Sequence, residues 1–447
     1  MTVAPPAAHA DLDRYRRDLD ALRRESPEPT WLTERRLAAF ERFADRGFPT
    51  PRDEAWRQTS VARIAGTAFS VPVRGARVDE VTLASRLPDL AGPAAVFVDG
   101  RFSAELSGLG RGQEGVEIRS RREVLEQAPS RVEPFFDLRS ERTDSAFADL
   151  NAALHVDGAV VFLAPGAIAA EPIHLVFLST AAGVATSAHP RSLVVAGKGS
   201  QARIVESYAG PNGAVYFTNS VTEVRLEDGA SVDHYRLQRE GEAAFHVGRL
   251  AIRLGRDSRF RDRSFSLGAA LARHDIDVTL GGEGAECTLD GLFFADGDRH
   301  TDVHTRIDHL APHGASRQLY KGILDGRGRG VFHGLVVVRP GAQKTDAIQA
   351  NRNLLLSREA LVSSTPQLEI LADDVKCKHG STTGQLDPVA VFYLRSRGIG
   401  EAQARGLLTR AFASELVRRV DLPALRFELE GELFARLGGP TREEAAA

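Results

Sequence analysis

The chain has 447 residues and a formal net charge of −3 at pH 7, with 43% hydrophobic and 26% charged residues. This length predicts two or three domains, and this composition is typical of a soluble globular protein. The near balance of charges excludes a global basic field for nucleic acid or an anionic membrane, and no apolar run approaches the roughly 20 residues that span a bilayer.

The start of the chain and its cysteine content indicate a reducing compartment. Residues 1–10 have neither the charged nor the apolar region of a secretory signal. The two cysteines, Cys287 and Cys377, cannot form a disulfide framework in a chain this long. They also cannot supply the four-cysteine cage of a typical iron–sulfur protein. We therefore expect a cytoplasmic protein.

Residues 1–90 are predicted to form an N-terminal helical region. Asp11 is a suitable N-cap for a helix whose apolar residues, between positions 12 and 22, recur at helical spacing. A second helix is expected to carry the apolar residues between positions 37 and 44. Residues 145–154 predict one more short helix before the strands begin.

Residues 91–386 contain a degenerate repeat of turns and alternating strands. Two strands and no amphipathic helix fit between successive turns, which favours a β-helix, a solenoid whose coils contact only their neighbours. A sandwich would not keep so long a fixed register. The turns recur every 27 to 30 residues, at Gly199, Gly229, Asp257, Gly284, Gly314 and Gly341.

Residues 387–447 are predicted to be helical again. Asp387 and Pro388 form a helix start, with aspartate as the cap and proline at the first position. Two further helices follow, the last after Pro423. We expect the terminal helices to cap the ends of the solenoid, because its end coils would otherwise expose sheet edges.

The first candidate site is the pair Cys377 and His379. In an extended strand these residues point to the same face, where a thiolate and an imidazole suit iron or zinc. A small buried cysteine beside a hydrogen-bonded histidine is the structural alternative. A Cys–His hydrolase is a third reading, although no orienting group or oxyanion loop is evident.

A second candidate face combines His300, Asp302 and His304. On a strand these three would share one face, as a metal or acid–base site or simply as a solvated polar surface. Acidic residues on a β-helix also suggest a carbohydrate-active enzyme, a lyase or a glycosidase. The 2 Trp and 6 Tyr of the chain and the absence of a secretion signal count against that alternative.

The sequence has no phosphate-binding loop. The glycine-rich segments at 282–284 and 326–330 lack the Gly-Lys-Ser/Thr ending that binds nucleotide phosphates. We therefore expect this chain to bind no nucleotide, so any ATP dependence would come from a partner.

An ordered series of motifs resembles the SufD branch of the SufB/SufD family of the SUF iron–sulfur cluster assembly system. SufB-like chains have Glu-His-Glu-Ala where this chain has Cys-Lys-His-Gly at 377–380, which favours SufD. Lys378, where serine is common, and Gln58, where an aromatic residue is frequent, depart from the family pattern. The motifs lie at residues 49–56, 320–324, 343–347, 349–356, 366–370, 373–380 and 392–399.

This resemblance implies a mainly β fold, a right-handed parallel β-helix between helical terminal regions. It implies a non-catalytic scaffold that acts with SufB and two copies of the ATPase SufC, in a SufBCD complex. SufC would dock on residues 387–437, and SufB would pair with the last coils. His379, and more weakly Cys377, would bind iron or the nascent cluster, shared with SufB. The isolated chain is a candidate homodimer.

Overall fold

A computed structural model describes residues 12–25, 28–72, 78, 88–110, 113–136, 145–182 and 185–437. Asp11 and the tail from position 438 lie outside these residues. The helices are α1 (Leu12–Glu25), α2 (Thr30–Arg46), α3 (Ala62–Gly66), α4 (Arg121–Gln127), α5 (Ala146–Leu154), α6 (Pro388–Ser396), α7 (Glu401–Val417) and α8 (Pro423–Arg436). Short 3₁₀ turns lie at Glu54–Trp56, Pro129–Arg131 and Glu133–Phe135.

Twenty strands form the body of the described chain. They are β1 (Ala94–Val98), β2 (Arg101–Phe102), β3 (Val116–Ser120), β4 (Ala159–Leu163), β5 (Ile173–Leu178), β6 (Thr186–Ala188), β7 (Arg191–Ala196), β8 (Gln201–Ala209), β9 (Tyr216–Leu226), β10 (Ser231–Arg239), β11 (Phe245–Leu254), β12 (Arg259–Ser266), β13 (Leu271–Leu280), β14 (Glu286–Ala295), β15 (His300–His309), β16 (Ala315–Leu324), β17 (Arg329–Val338), β18 (Asp346–Leu355), β19 (Leu361–Ile370) and β20 (Lys376–Gly384).

The strands form a parallel β-solenoid of about eight turns, as the repeat predicted. From β8 onward, even-numbered strands stack in one sheet, which we call sheet B, and odd-numbered strands stack in the other, sheet A. Each coil therefore contributes one strand to each sheet. Pairing is parallel and without register shifts between neighbouring coils, so equivalent positions form straight columns along the solenoid.

Four of the six predicted turns have a left-handed residue at the predicted position, whereas the next two coils have theirs at His313 and Lys344 instead of Gly314 and Gly341. Gly199, Gly229 and Gly284 have φ near +70°, the left-handed region that glycine enters without steric cost. Asp257 occupies the same place in its coil with φ of 52°, which aspartate tolerates better than most residues. The irregular composition of these turns explains why the repeat is degenerate in sequence.

The main apolar core fills the inside of the solenoid. It runs from Ala95 and Phe97 in the first coil to Ala360 and Ala372 on either side of β19, and Cys377 of β20 packs against it. Both cysteines belong to one column of sheet B, in which Cys287 pairs with Ser316, Ser316 with Ala347, and Ala347 with Cys377.

The N-terminal helices pack against the outside of sheet A. Phe40 and Phe43 of α2 and Phe147 of α5 belong to one cluster with Phe217 of β9 and Phe245 of β11. Trp56 is 7% exposed in the same cluster. At the N-terminal end of the solenoid, β2 pairs antiparallel with β1, and β3 pairs antiparallel with β4. These two strands therefore cover the first edge of each sheet.

The C-terminal helices do not cap the last coil, which corrects the expectation stated above. Helices α7 and α8 instead pack on the outer face of sheet B, where Leu416 and Leu425 join Phe265, Leu292 and Leu319 in one cluster. The outer face of sheet B has apolar side chains at alternate positions, and the helices bury them. The end of the solenoid presents mainly the backbone edges of its strands. The predicted helix start at Asp387 is confirmed, since its side chain accepts a bond from Val389 N at 2.9 Å.

No helix among the residues that the structure describes is long and apolar enough to cross a membrane.

Candidate ligand site at the open end of the solenoid

The last coil, formed by β19 and β20, leaves one end of the solenoid bare, and we call it the open end. Every residue of β19 and β20 is exposed or half-buried, whereas β17 is mostly buried. Among the strands that the structure describes, neither has a further neighbour on its outer side in its sheet. Four large apolar side chains are exposed at or next to this coil: Ile348, Leu361, Ile370 and Leu371.

Cys377 and His379 lie on β20, so the strand on which the prediction depended is present. Their partners in β18, Ala347 and Gln349, are buried, while the intervening Ile348 is 39% exposed on the outer face. Because the two strands pair in parallel register, Cys377 and His379 take the same inward-facing side. The two side chains therefore face the interior of the solenoid at its open end.

A single hydrogen bond determines how His379 presents its ring. Its Nδ1 lies 3.0 Å from the carbonyl oxygen of Pro366 on β19. Because a carbonyl only accepts, Nδ1 must carry the proton, and Nε2 of the neutral ring is then left with its lone pair. Histidines that bind metals through one nitrogen commonly donate the other N–H to a backbone carbonyl in this way. The imidazole bridges the two sheets at the open end.

Cys377 is the weaker of the two donors. Its side chain is half-buried and packs against the last layer of the core. Partial burial raises the pKa of the Cys377 thiol above its ordinary value. A thiol must lose its proton to bind a metal. Cys377 therefore needs a nearby cation before it becomes a good ligand.

These two donors do not complete a metal site. Within the part of the chain that the structure describes, no three His, Cys, Asp or Glu side chains converge as metal ligands do. An imidazole nitrogen and a thiol are nevertheless donors that iron accepts. The donor set therefore fits a shared site, for which a second chain would supply the remaining ligands.

Two family models together match most of the chain. The SufBD protein N-terminal region matches residues 8–175, and the SUF system FeS cluster assembly, SufBD core domain, matches residues 177–412. The chain belongs to the SufBD family. The match to the core domain includes the open end and its Cys377–His379 pair.

Individual relatives of this SufBD family chain agree with that assignment. An iron-sulfur cluster assembly SufBD family protein of Synechocystis sp. is 34% identical over 92% of this chain and 94% of its own length. The iron-sulfur cluster assembly protein SufD of Escherichia coli is 33% identical over 88% and 89%. The SufD of Bacillus subtilis is 25% identical over 90% and 93%.

The second candidate face of this SufBD family chain is a buried contact. His300, Asp302 and His304 do share one outward side of β15, but the N-terminal segment covers it. Thr59 Oγ1 lies 2.8 Å from His300 Nε2 and donates to Asp302 at 2.6 Å, and Arg273 donates to the same carboxylate at 2.8 Å. Although burial alone raises the pKa of Asp302, His304 and Arg273 outweigh it and lower that pKa. The face fastens the N-terminal region to the solenoid.

The other cysteine has no access to ligands. Cys287 is 2% exposed in the core, and burial raises the pKa of its thiol far above the ordinary value. It is a packing residue, consistent with its inward position on β14.

Sequence reasoning missed a column inside the solenoid of this SufBD family chain that is polar at every position but one. One column of sheet B runs His234, Asp262, Leu289, Gln318, Gln349 and His379 from β10 to β20. The spacing of 27 to 31 residues could have shown it once the register was known. His379 is the last member of this column.

Proposed function

We propose that this chain is a non-catalytic scaffold subunit for iron–sulfur cluster assembly that acts with a SufB-like chain and a SufC-like ATPase. The observation that carries the proposal is the uncovered last coil. There His379, whose Nδ1 is hydrogen-bonded to Pro366 O, keeps Nε2 available beside the thiol of Cys377. Family membership supports the assembly role. The contacts of Asp302 with Thr59 and Arg273 on the covered His300–Asp302 face count against the carbohydrate-enzyme alternative.

The SufB-like partner is proposed to cover the open end. The strands β19 and β20 expose backbone groups along their outer edges, which suits pairing with strands of another solenoid. The exposed side chains of Ile348, Leu361 and Ile370 would be buried by such a contact. In the absence of SufB, a second copy of this chain would occupy the same surface, as a homodimer.

Iron or the nascent cluster is the substrate of this interface. His379 would bind it through Nε2, with Cys377 as a weaker ligand, and the SufB-like chain would supply the other donors. No nucleotide, nucleic acid or membrane is required at this chain's own sites, and ATP would act through the partner.

The ligand role is tested in the complex reconstituted with SufB and SufC. His379→Ala should abolish cluster assembly and Cys377→Ser should reduce it less, because the serine removes the weaker donor. Lys378→Ala is the matched control, since Lys378 is exposed on the same strand but on its opposite face. Full assembly by the His379→Ala complex would refute the ligand role.

The ATPase is proposed to dock on α6 and the adjoining part of α7. Helix α6 buries none of its residues, and it exposes Val389 (70%), Phe392 (71%) and Tyr393 (56%). An apolar helix face of this kind is typical of a protein interface. Through α7 and α8, motion of α6 would reach sheet B and the open end.

A double variant tests this docking surface. Phe392→Ser with Tyr393→Ser should weaken capture of SufC by this chain at least tenfold, measured by biolayer interferometry. Phe427→Ser is the matched control, because Phe427 is a similarly exposed aromatic on α8 (57%). Equal SufC binding by the double variant would place the docking site elsewhere.

A further inference from the structure

The interior of the last coils holds buried polar atoms without partners. Among the residues that the structure describes, these include Gln318 Nε2, Tyr320 OH, Asn353 Oδ1 and both Nε2 and Oε1 of Gln349. Gln349 differs from the others because its whole amide lacks a partner, although the residue is only 1% exposed. A buried amide in this condition is costly unless a water, an ion or a ligand satisfies it.

Gln349 lies directly beneath the candidate ligand site. In the ladder between β18 and β20 it pairs with His379 and so occupies the preceding place in the same inward column. Its amide extends across the interior to Gly334 of β17, where a Cβ atom would lie 2.2 Å from Gln349 Nε2. Gly334 in turn pairs with Pro366, whose carbonyl accepts from His379. The amide is therefore below the His379–Pro366 bridge.

Neighbouring polar groups form a hydrogen-bonded series that leads to the open end. Asn353 Nδ2 donates to Asn351 Oδ1 at 2.6 Å, Ser364 Oγ donates to the same oxygen at 2.7 Å, and Ser364 Oγ lies 2.7 Å from Ser381 Oγ of β20. Hydrogen-bonded groups thus continue from the interior to the edge strand. Gln349 lies beside this hydrogen-bonded series, and both polar atoms of its amide lack a partner.

We infer that Gln349 is a positioning residue that hydrogen-bonds the water or hydroxide on iron held by His379. An amide can donate to a hydroxide and accept from a water, and it does so without adding charge to the site. A leucine or methionine would suit a merely structural position better, because it would leave no unsatisfied polar atom. This inference rests on the ligand role of His379 in the proposed function.

The test compares two buried glutamines of the same column. Gln349→Met keeps the length of the side chain but removes both polar atoms, and Gln318→Met makes the same change one strand farther from His379. Both are assembled with SufB and SufC, and Fe(II) affinity is measured by anaerobic titration alongside the thermal midpoint. Gln349→Met should weaken Fe(II) binding 10- to 100-fold, as loss of an outer-shell partner does, with an unchanged or higher midpoint.

Each outcome decides the inference. Parental Fe(II) affinity in Gln349→Met, or an equal loss in Gln318→Met, overturns it. Loss of the thermal transition in Gln349→Met also overturns it, because the amide would then serve the fold. His379→Ala is titrated in parallel: if it binds Fe(II) like the parent, the proposed ligand role itself fails, and if only Gln349→Met does so, His379 keeps its role.

Discussion

His234 and His379 face the same interior column of sheet B, yet their surroundings are opposite. His234 is 1% exposed in the middle of the solenoid, where its Nδ1 lies 2.7 Å from Asp262 and its Nε2 lies 3.8 Å from Glu206. His379 belongs to the exposed last coil and bonds only through Nδ1 to a backbone carbonyl among its described contacts. One histidine is enclosed by carboxylates, and the other keeps a nitrogen available.

This difference shows that position in the coil stack, not residue type, separates structure from function here. In the enclosed coils each polar side chain is covered by the next coil, so a charged group such as His234 depends on partners within the chain. At the open end no further coil follows among the described residues, so donors can be left for a ligand or another subunit. The predictions below test whether this division holds.

The largest effect is expected from His234→Gln. Burial alone lowers the pKa of His234, but Asp262 and Glu206 outweigh it and raise that pKa to about 9, so the ring is charged at neutral pH. Removing this cation leaves two buried carboxylates uncompensated, which typically costs about 3–5 kcal/mol. Urea unfolding of the isolated chain measures the loss. His379→Gln is the matched control, with a change within about 0.5 kcal/mol. Equal losses of unfolding free energy in the two variants would contradict the proposed difference between the enclosed coils and the open end.

A pH dependence follows from the same histidine. Because its folded-state pKa of about 9 lies above the unfolded value of 6.5, its stabilisation is complete below about pH 6.5 and is lost as the pH rises through 9. The loss amounts to roughly 3.5 kcal/mol at most, at about 1.4 kcal/mol for each pKa unit. Unfolding free energies at pH 6.5 and 9.5 measure it. The His234→Gln variant should lack this part of the pH dependence, and an identical slope in both proteins would assign it to other groups.

Much of the fold was predictable because each repeat shows its turn and its strands in a short stretch of sequence. Each turn recurs with a left-handed residue such as Gly229 or Asp257, and each strand alternates, so a solenoid follows without knowledge of distant contacts. The shared face of Cys377 and His379 was predictable for the same reason, since strand geometry alone decides it.

The remaining features depend on register and on packing between distant segments. The partner of His379 is Pro366, in the opposite sheet, and the column that joins Gln349 to His379 appears only when coils are aligned. The burial of Asp302 beneath Thr59 joins residues 243 positions apart. Spacing within one strand carries no information about such contacts.

A smaller loss of stability is expected from a substitution at Lys321, which holds α7 against the outer face of sheet B. Lys321 of β16 is 3% exposed, and its Nζ donates to Phe412 O at 2.7 Å and pairs with Glu415 at 2.6 Å. Lys321→Met should lower the unfolding free energy by roughly 2 kcal/mol, because a charge-assisted hydrogen bond contributes about 1.5–3 kcal/mol. Hydrogen exchange should show lost protection in α7 but not in β20.

Arg352→Met is the control for this fastening. Arg352 also pairs with Glu415, at 3.2 Å, but its side chain is 49% exposed, so solvent screens the pair and the expected loss is below about 1 kcal/mol. If Arg352→Met were as damaging as Lys321→Met, the buried lysine would not be what holds the helix to the sheet.

The smallest change in stability, and a distinct change in association, is expected from Pro366→Ala. Leu361 N and Leu371 N donate toward β17, and alternate residues of a parallel strand bond on opposite sides, so residue 366 faces the free edge. Proline has no N–H to offer a strand that pairs there. Alanine supplies it, at a cost of about 0.5 kcal/mol from greater freedom of the unfolded chain. Sedimentation equilibrium should show self-association of the isolated chain strengthened several-fold. Thr365→Ala, whose N–H faces β17, should leave association unchanged, and the same result for Pro366→Ala would mean that copies do not meet through the edge of β19.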